Sequence, residues 1–425
     1  MILIKDGRLV DPLSKTDEIR DLVIDGDLVK YIGKFHRSEE YERIIEAKGC
    51  IVAPGLVDVH VHFRDPGFEY KEDMESGERA AFAGGFTTVV CRTNTNPIVD
   101  NTKVLDYVVE KASKRKLHIY STAAITKGFE NKELTDMEQL KAHGAVGFTN
   151  DAAAIMDVNL MIRAMQECER LAVPISVHDE HPELVGVLGI NEGKISEELK
   201  ITGSPNMAED TMVARDCMLA LHTGCTVVIQ HVSTEASVQL IRMAQKMGAK
   251  VLAEVTPHHL SLTEDAIHKF GADAKVDPPL RTSRDRFALL EGLRDGTITI
   301  IASDHAPHSR EEKDSGLLDA PTGIIGLETA LPVCVTYLVK KGHLTMWKLI
   351  EKMSLNPAQL YNLDAGYIAE GCKANIVIFN EEESFSADHF ESKSDSSPYR
   401  GEWLFGKIKY TICDGQIVYE SEERK

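Results

Sequence analysis

The chain has no excess of positive charge. Its 48 lysines and arginines stand against 67 aspartates and glutamates, a formal charge of −19. This balance argues against nucleic acid or an anionic membrane as partner, because either needs a basic face to displace counterions, and leaves room for a small anionic substrate in a locally basic pocket. No apolar run approaches the roughly 18 residues of a membrane span, and residues 1–8 carry no signal-peptide pattern. The expectation is a soluble, cytoplasmic protein with neither nucleic acid nor membrane as partner. Eight cysteines occur (Cys50, Cys91, Cys168, Cys217, Cys225, Cys334, Cys372, Cys413), but never as Cys-x-x-Cys, which argues against a zinc knuckle or a redox pair. Most should be buried thiols in a reducing compartment. Any bound metal must then be held by histidine and carboxylate. No G-x-S-x-G elbow is present, and the first barrel strand lacks the G-x-G-x-x-G turn of a dinucleotide fold.

What is present suits a globular enzyme. A chain of 425 residues, 43% hydrophobic and 27% charged, can hold an α/β barrel of about 300 residues and a small accessory domain. Short strands are expected at 2–4, 21–24 and 28–32, with Asp25-Gly26 as a tight hairpin, and again at 374–379, 410–413 and 416–419, with Asp414-Gly415 as a second one. Isolated hairpins are marginal, so the two ends are expected to pair into one small β-sandwich-like domain, residues 1–53 and 366–425. Between them, residues 54–365 alternate apolar strands with helical stretches. The eight candidate strands are 56–60, 87–91, 118–123, 145–148, 174–178, 226–231, 250–255 and 298–303. Eight βα units predict a (β/α)8 TIM-like barrel. The stretch from Ser394 to Ser397 reads as a short polar loop.

In such a barrel the C-terminal ends of the strands carry the chemistry. The first strand ends Asp58-Val59-His60-Val61-His62, and residues two apart on a strand point the same way, so both imidazoles can grip one ion. The fourth ends at Asn150-Asp151, which alone would suggest a turn or helix cap. The fifth and sixth bring His178 and His231 to the same rim, and the eighth delivers Asp304-His305-Ala306-Pro307-His308. A carboxylate following six largely apolar residues must be paired or bound to a cation. Nitrogen and oxygen donors without thiolate suit zinc, and less often manganese or cobalt. Such a site would polarise a carbonyl and activate water, with a carboxylate beside it to carry the proton to a leaving nitrogen.

These residues resemble the amidohydrolase superfamily and, within it, the class I dihydroorotases. The resemblance rests on Pro54 through Gly67 (with His60-Val61-His62-Phe63-Arg64-Asp65-Pro66), on Arg92-Thr93-Asn94-Thr95, on Asp277-Pro278-Pro279-Leu280-Arg281, on Ser303 through His308, and on Ala320-Pro321-Thr322-Gly323 with the residues to Ala330. It implies one or two zinc ions (Zn2+), two being favoured: one on His60, His62, Asp151 and Asp304, a second on His178 and His231 sharing Asp151. It further implies that Asp304 is the catalytic proton shuttle, that Arg64, Asn94 and His308 hold the substrate's α-carboxylate, and that Thr322-Gly323 closes over it. The implied reaction is the reversible cyclisation of N-carbamoyl-L-aspartate to L-dihydroorotate in pyrimidine synthesis, through metal-activated hydroxide in the hydrolytic direction.

Two positions depart from the family pattern. Asp277 stands where the family has asparagine, and Asn150-Asp151-Ala152 where it has Asp-Asp-Gly. Because Pro278 and Pro279 stiffen the segment, residue 277 is expected to meet substrate through its backbone. Hydantoinases and allantoinases of the same superfamily typically bridge their metals with a carboxylated lysine on the fourth strand, where this chain has Asp151, and Arg64 favours a substrate bearing a carboxylate. A non-catalytic partner of aspartate carbamoyltransferase would have lost metal ligands that this chain keeps. Association with that transferase, or with further copies of the chain, is left open.

Overall fold

The computed structural model describes residues 1–34 and 40–421. Two sheets organise the chain. The first is built from both ends: β1 (Ile2–Asp11), β2 (Thr16–Asp25), β3 (Leu28–Gly33), β4 (Arg43–Glu46) and β5 (Ile51–Pro54), completed by β14 (Ile376–Ser386), β15 (Trp403–Cys413) and β16 (Gln416–Glu420). Its order is β16-β15-β14-β5-β1-β2-β3, with β4 also on β1. The two ends of the chain meet at β5 and β14, antiparallel with Ile376 opposite Pro54 and Ile378 opposite Val52. Asp414 and Gly415 both take positive φ, 45° and 73°, as a two-residue hairpin turn requires when its twist matches the flanking strands. Ile4, Leu22, Ile24, Ile376, Ile378 and Ile412 form the aliphatic core of this sheet.

The second sheet is the barrel: β6 (Leu56–Val61), β7 (Phe86–Cys91), β8 (His118–Ala123), β9 (Ala145–Thr149), β10 (Ile175–Val177), β11 (Val227–Ile229), β12 (Val251–Val255) and β13 (Ile300–Ile301). The strands neighbour one another in chain order, and the seam between last and first is drawn together where Val61 bridges His305 in parallel and the His62 N–H donates to His305 O at 2.8 Å. Helices cover the outside. The helix Val158–Leu171 is typical: Asp157 caps it by accepting from the N–H groups of Asn159 and Leu160, and Leu160, Met161, Ala164, Met165, Cys168 and Leu171 form its buried stripe. Among the described residues no helix is long and apolar enough to cross a membrane.

The fifth, sixth and eighth strands are shorter than their apolar runs suggest. β13 ends at Ile301 rather than 303, because the Ser303 N–H turns from the ladder to the Asp58 carboxylate at 3.0 Å. β10 and β11 stop before His178 and His231, which frees those rings to turn over the rim. The serine-rich stretch near the C-terminus, for its part, is buried: Ser396 Oγ donates to Asp273 at 2.7 Å and its carbonyl accepts from Ile325 N–H at 3.0 Å, while Asp395 pairs with Arg310. A piece of the C-terminal segment thus fastens the loops that follow the seventh and eighth strands.

Candidate active site

Alternation along β6 decides what faces the barrel axis. Val57 and Val59 pack with Val90, Ile300 and Tyr361; the pairing with β7 then shifts register between Asp58 and Val61, and beyond that shift His60 and His62, two positions apart, both reach the cavity at the strand end. Each histidine is oriented by a distant acceptor: His60 Nδ1–H donates to Glu254 Oε1 at 3.1 Å and His62 Nδ1–H to Asn94 Oδ1 at 2.8 Å. Both rings therefore present a bare Nε2. These nitrogens lie 3.4 and 3.2 Å from Asp304 Oδ1 and 3.7 Å each from the Asp151 carboxylate. Donation of the outer ring N–H to a carboxylate or carbonyl is how metal-binding histidines are commonly fixed.

Across the rim, His178 Nδ1 and His231 Nε2 face each other at 3.0 Å. His60, His62 and Asp151 form one group able to grip an ion, and Asp151, His178 and His231 form another. Asp151 belongs to both. Burial holds His60 and His231 well below the usual histidine pKa, with the nearby Arg92 and His178 charges adding to it; neutral imidazole is the form that binds metal. His178 behaves differently. Burial lowers it, but Glu180 and Asp277, 3.7 and 3.8 Å from its Nε2, outweigh that and raise it to about 10. The donor set, histidine and carboxylate converging without thiolate, fits two divalent ions of the zinc type.

All the residues singled out in the sequence line one cavity of about 210 Å³, the six candidate ligands together with Arg64, Asn94, Asp277, His308, Thr322 and Gly323. Asn94 also donates to Asp151 at 3.0 Å. Arg64 Nε donates to Pro307 O at 3.2 Å, and its Nη2 stands 3.3 Å from His308. His308 accepts from Lys71 on Nδ1 at 3.3 Å and donates from Nε2 to Thr322 O at 2.9 Å. Burial and the neighbouring Arg64, Lys71 and Lys313 charges keep it neutral, at about 3. Asp277 differs from expectation: its carboxylate, and not only its backbone, faces the cavity. The segment turns the side chain toward His178, and burial together with the neighbouring Glu180 charge raises its pKa well above the usual carboxylate value, against the pull of His178.

The sequence alone did not point to the supports beneath the candidate ligands. Glu254 was one, paired with Arg92 at 3.1 Å as well as with His60; burial pushes it up to about 8 against the pull of Arg92. A carboxylate inside the apolar run of β12 was the available signal, by the reasoning already applied to Asp304. Glu72 was another. It meets the fully buried His305 at 3.2 Å, and no local spacing links the two. Four non-glycine cavity residues, Arg64, Ala152, His231 and Asp304, sit at positive φ of 59°, 59°, 31° and 48°, conformations costly to non-glycine residues and concentrated at functional sites.

A fold of this type with paired histidines and a shared aspartate at the strand ends defines a class, and the comparisons agree: the model of the amidohydrolase family matches residues 51–418, so the chain belongs to that family. Within it, the chain is similar over its whole length to curated dihydroorotases. It is 57% identical to that of Clostridioides difficile (strain 630), covering 99% of this chain and 100% of the relative, and 48% identical to that of Clostridium acetobutylicum, again over 99% and 100%. Among solved structures it is similar to the L-hydantoinase (dihydropyrimidinase) from Arthrobacter aurescens, with a TM-score of 0.87 at 26% identity over 99% of this chain and 96% of that one. The D-hydantoinase from Thermus sp., at 23% identity and a TM-score of 0.85 over 99% and 95%, shares the fold.

Proposed function

We propose that the chain interconverts L-dihydroorotate and N-carbamoyl-L-aspartate, as a cyclic amidohydrolase of pyrimidine synthesis, with two zinc ions held by His60, His62, Asp151, Asp304, His178 and His231. The observation that carries this reading is the placement of Arg64 and His308 in the same cavity as the two histidine pairs. It gives an acidic chain a local cation for a carboxylate, and a planar guanidinium can hold that group through two parallel hydrogen bonds. Similarity to dihydroorotases along the whole chain supports it. Zinc bound there would polarise the ring carbonyl and make water nucleophilic near neutral pH.

The protein's own groups do the rest. Glu254 and Asn94 hold the Nδ1 protons of His60 and His62, so that the Nε2 lone pairs face the centre. Arg64 fixes the substrate's α-carboxylate and thereby which carbonyl stands over the centre. Asp304, against both histidines, receives the proton of the attacking water on a carboxylate oxygen and passes it to the ring nitrogen as the amide bond breaks. In ring closure it takes the proton from the attacking carbamoyl nitrogen. We also infer that this chemistry belongs to a catalytic unit of residues 54–365, with 1–53 and 366–425 as its accessory domain.

The test is a parallel assay of the purified chain on L-dihydroorotate, hydantoin and allantoin. The expected result is a kcat/KM for dihydroorotate about a hundredfold or more above the others, equivalent to roughly 2.7 kcal/mol of discrimination. Preference for hydantoin or allantoin would contradict the proposal.

A further inference from the structure

Two lysines beside the cavity are buried, at 2% exposure each: Lys275 and Lys313. Their ammonium groups reach backbone carbonyls rather than carboxylates. Lys275 Nζ donates to Leu318 O at 2.9 Å and Ala320 O at 2.7 Å; Lys313 Nζ donates to Pro321 O at 3.0 Å and Gly323 O at 2.9 Å. Four carbonyls of the six-residue segment 318–323 are thus gripped by two cations, and the carbonyl of Thr322 is taken by His308. The backbone of Lys275 joins in by accepting from the Gly323 N–H at 2.9 Å. Pro321, Thr322 and Gly323 line the cavity.

Packing leaves the segment little freedom to move as a unit. A Cβ on Gly323, whose φ is +125°, would meet Ala306 O at 2.7 Å and His308 Cδ2 at 3.2 Å. Burying an ammonium on carbonyls alone is costly compared with an apolar side chain of similar length. Burial accordingly lowers the pKa of both lysines, Lys313 to about 8.

We propose that Lys275 and Lys313 are positioning residues for carboxylate recognition: they fix segment 318–323 so that Thr322 and Gly323 stand at a set place over the substrate, and they add two positive charges against that segment. This rests on the reading of the chain as an enzyme acting on dihydroorotate. The charged groups that act on Lys313 are Asp273, Lys275, Arg310 and Glu312, and those on Lys275 are Asp319 and Asp277. Of these lysines, Lys313 is the one that loses its proton first as pH rises.

The experiment compares wild type with Lys313→Met and Lys275→Met in the metal-loaded enzyme. Steady-state kinetics use L-dihydroorotate, and hydrogen exchange is followed by mass spectrometry over residues 316–324. Each variant should raise KM about tenfold or more with kcat within about threefold, because binding of the carboxylate is weakened and the chemistry is not, and exchange in the segment should speed up while barrel peptides stay protected. Wild-type KM should climb from about pH 7 to about pH 9 as Lys313 loses its charge, and Lys313→Met should remove that climb. Unchanged KM and exchange in folded variants would overturn the proposal, as would a wild-type KM flat over that range. The wild-type pH series also serves if a variant fails to fold. Absence of wild-type turnover would instead count against the proposed function, whereas the exchange data bear on the lysines alone.

Discussion

In the terminal sheet, Ile4, Leu22, Ile24 and Ile376 lie packed in an aliphatic cluster; at the barrel rim, His60, Asp151, His178, His231 and Glu254 are nearly as dry. The first kind of burial stabilises the fold by about 1.5–3 kcal/mol for each large side chain removed from water. The second costs stability, since each polar group must recover its lost hydration from a partner. The rim adds backbone conformations at Arg64, His231 and Asp304 that cost on the order of 1–3 kcal/mol each. The difference teaches where function sits: a region that keeps expensive groups, each oriented by another, is kept for chemistry rather than for stability.

The comparison breaks if substitutions in the two regions have the same signature. The largest effect is expected at the rim. Asp304→Asn should lower kcat by a factor of about 10² or more, the scale of lost general acid–base catalysis, with thermal unfolding little changed. Near-normal turnover in the folded, metal-loaded variant would remove Asp304 from its role. Arg64→Met should cost about 2–5 kcal/mol in kcat/KM for dihydroorotate, the range for truncating one partner of a buried charged contact. A variant whose preference for dihydroorotate over dihydrouracil equals that of wild type would show that another residue selects the carboxylate.

In the sheet the signature should reverse. Leu22→Ala should lower unfolding free energy by roughly 2–5 kcal/mol through the cavity it leaves, while kcat and KM at room temperature stay as they are. Loss of activity in the folded variant would show that the sheet and the rim are coupled. Asp277→Asn should have the smallest effect. Its carboxyl group faces the cavity beside His178, where burial and the Glu180 charge already favour the protonated form, so the substitution should lower KM for the dianionic carbamoyl aspartate by no more than a few-fold, under about 1 kcal/mol. A rise in KM would mean that the charge assists binding.

Much of this was legible because barrels write their chemistry locally. The period-2 spacing of His60 and His62, and the polar residues ending otherwise apolar runs, marked the candidate ligands that the structure brings into one cavity. The terminal sheet was legible from its two turn dipeptides. What escaped notice lies far apart in sequence. Glu254 supports His60 across 194 positions, and Lys275 reaches Ala320 across 45; no window of residues contains either pair. The last strand was overextended because Ala302 continues the apolar run, while the Ser303 N–H leaves the ladder for Asp58. The stretch from Ser394 to Ser397 is the loop its composition suggested, but a buried one: Ser394, Ser396 and Ser397 are shielded from solvent with Ser392, and Ser392, Ser394 and Ser396 bond to Glu72, Asp273 and one another.

The central claim is that the rim is one centre for two ions joined by Asp151, and counting the ions tests it most directly. Metal analysis of the zinc-loaded, dialysed chain should find two ions in wild type and one after His178→Ala with His231→Ala, which leaves His60, His62, Asp151 and Asp304 in place. One ion or fewer in wild type, or a count that the double substitution does not change, would contradict the account.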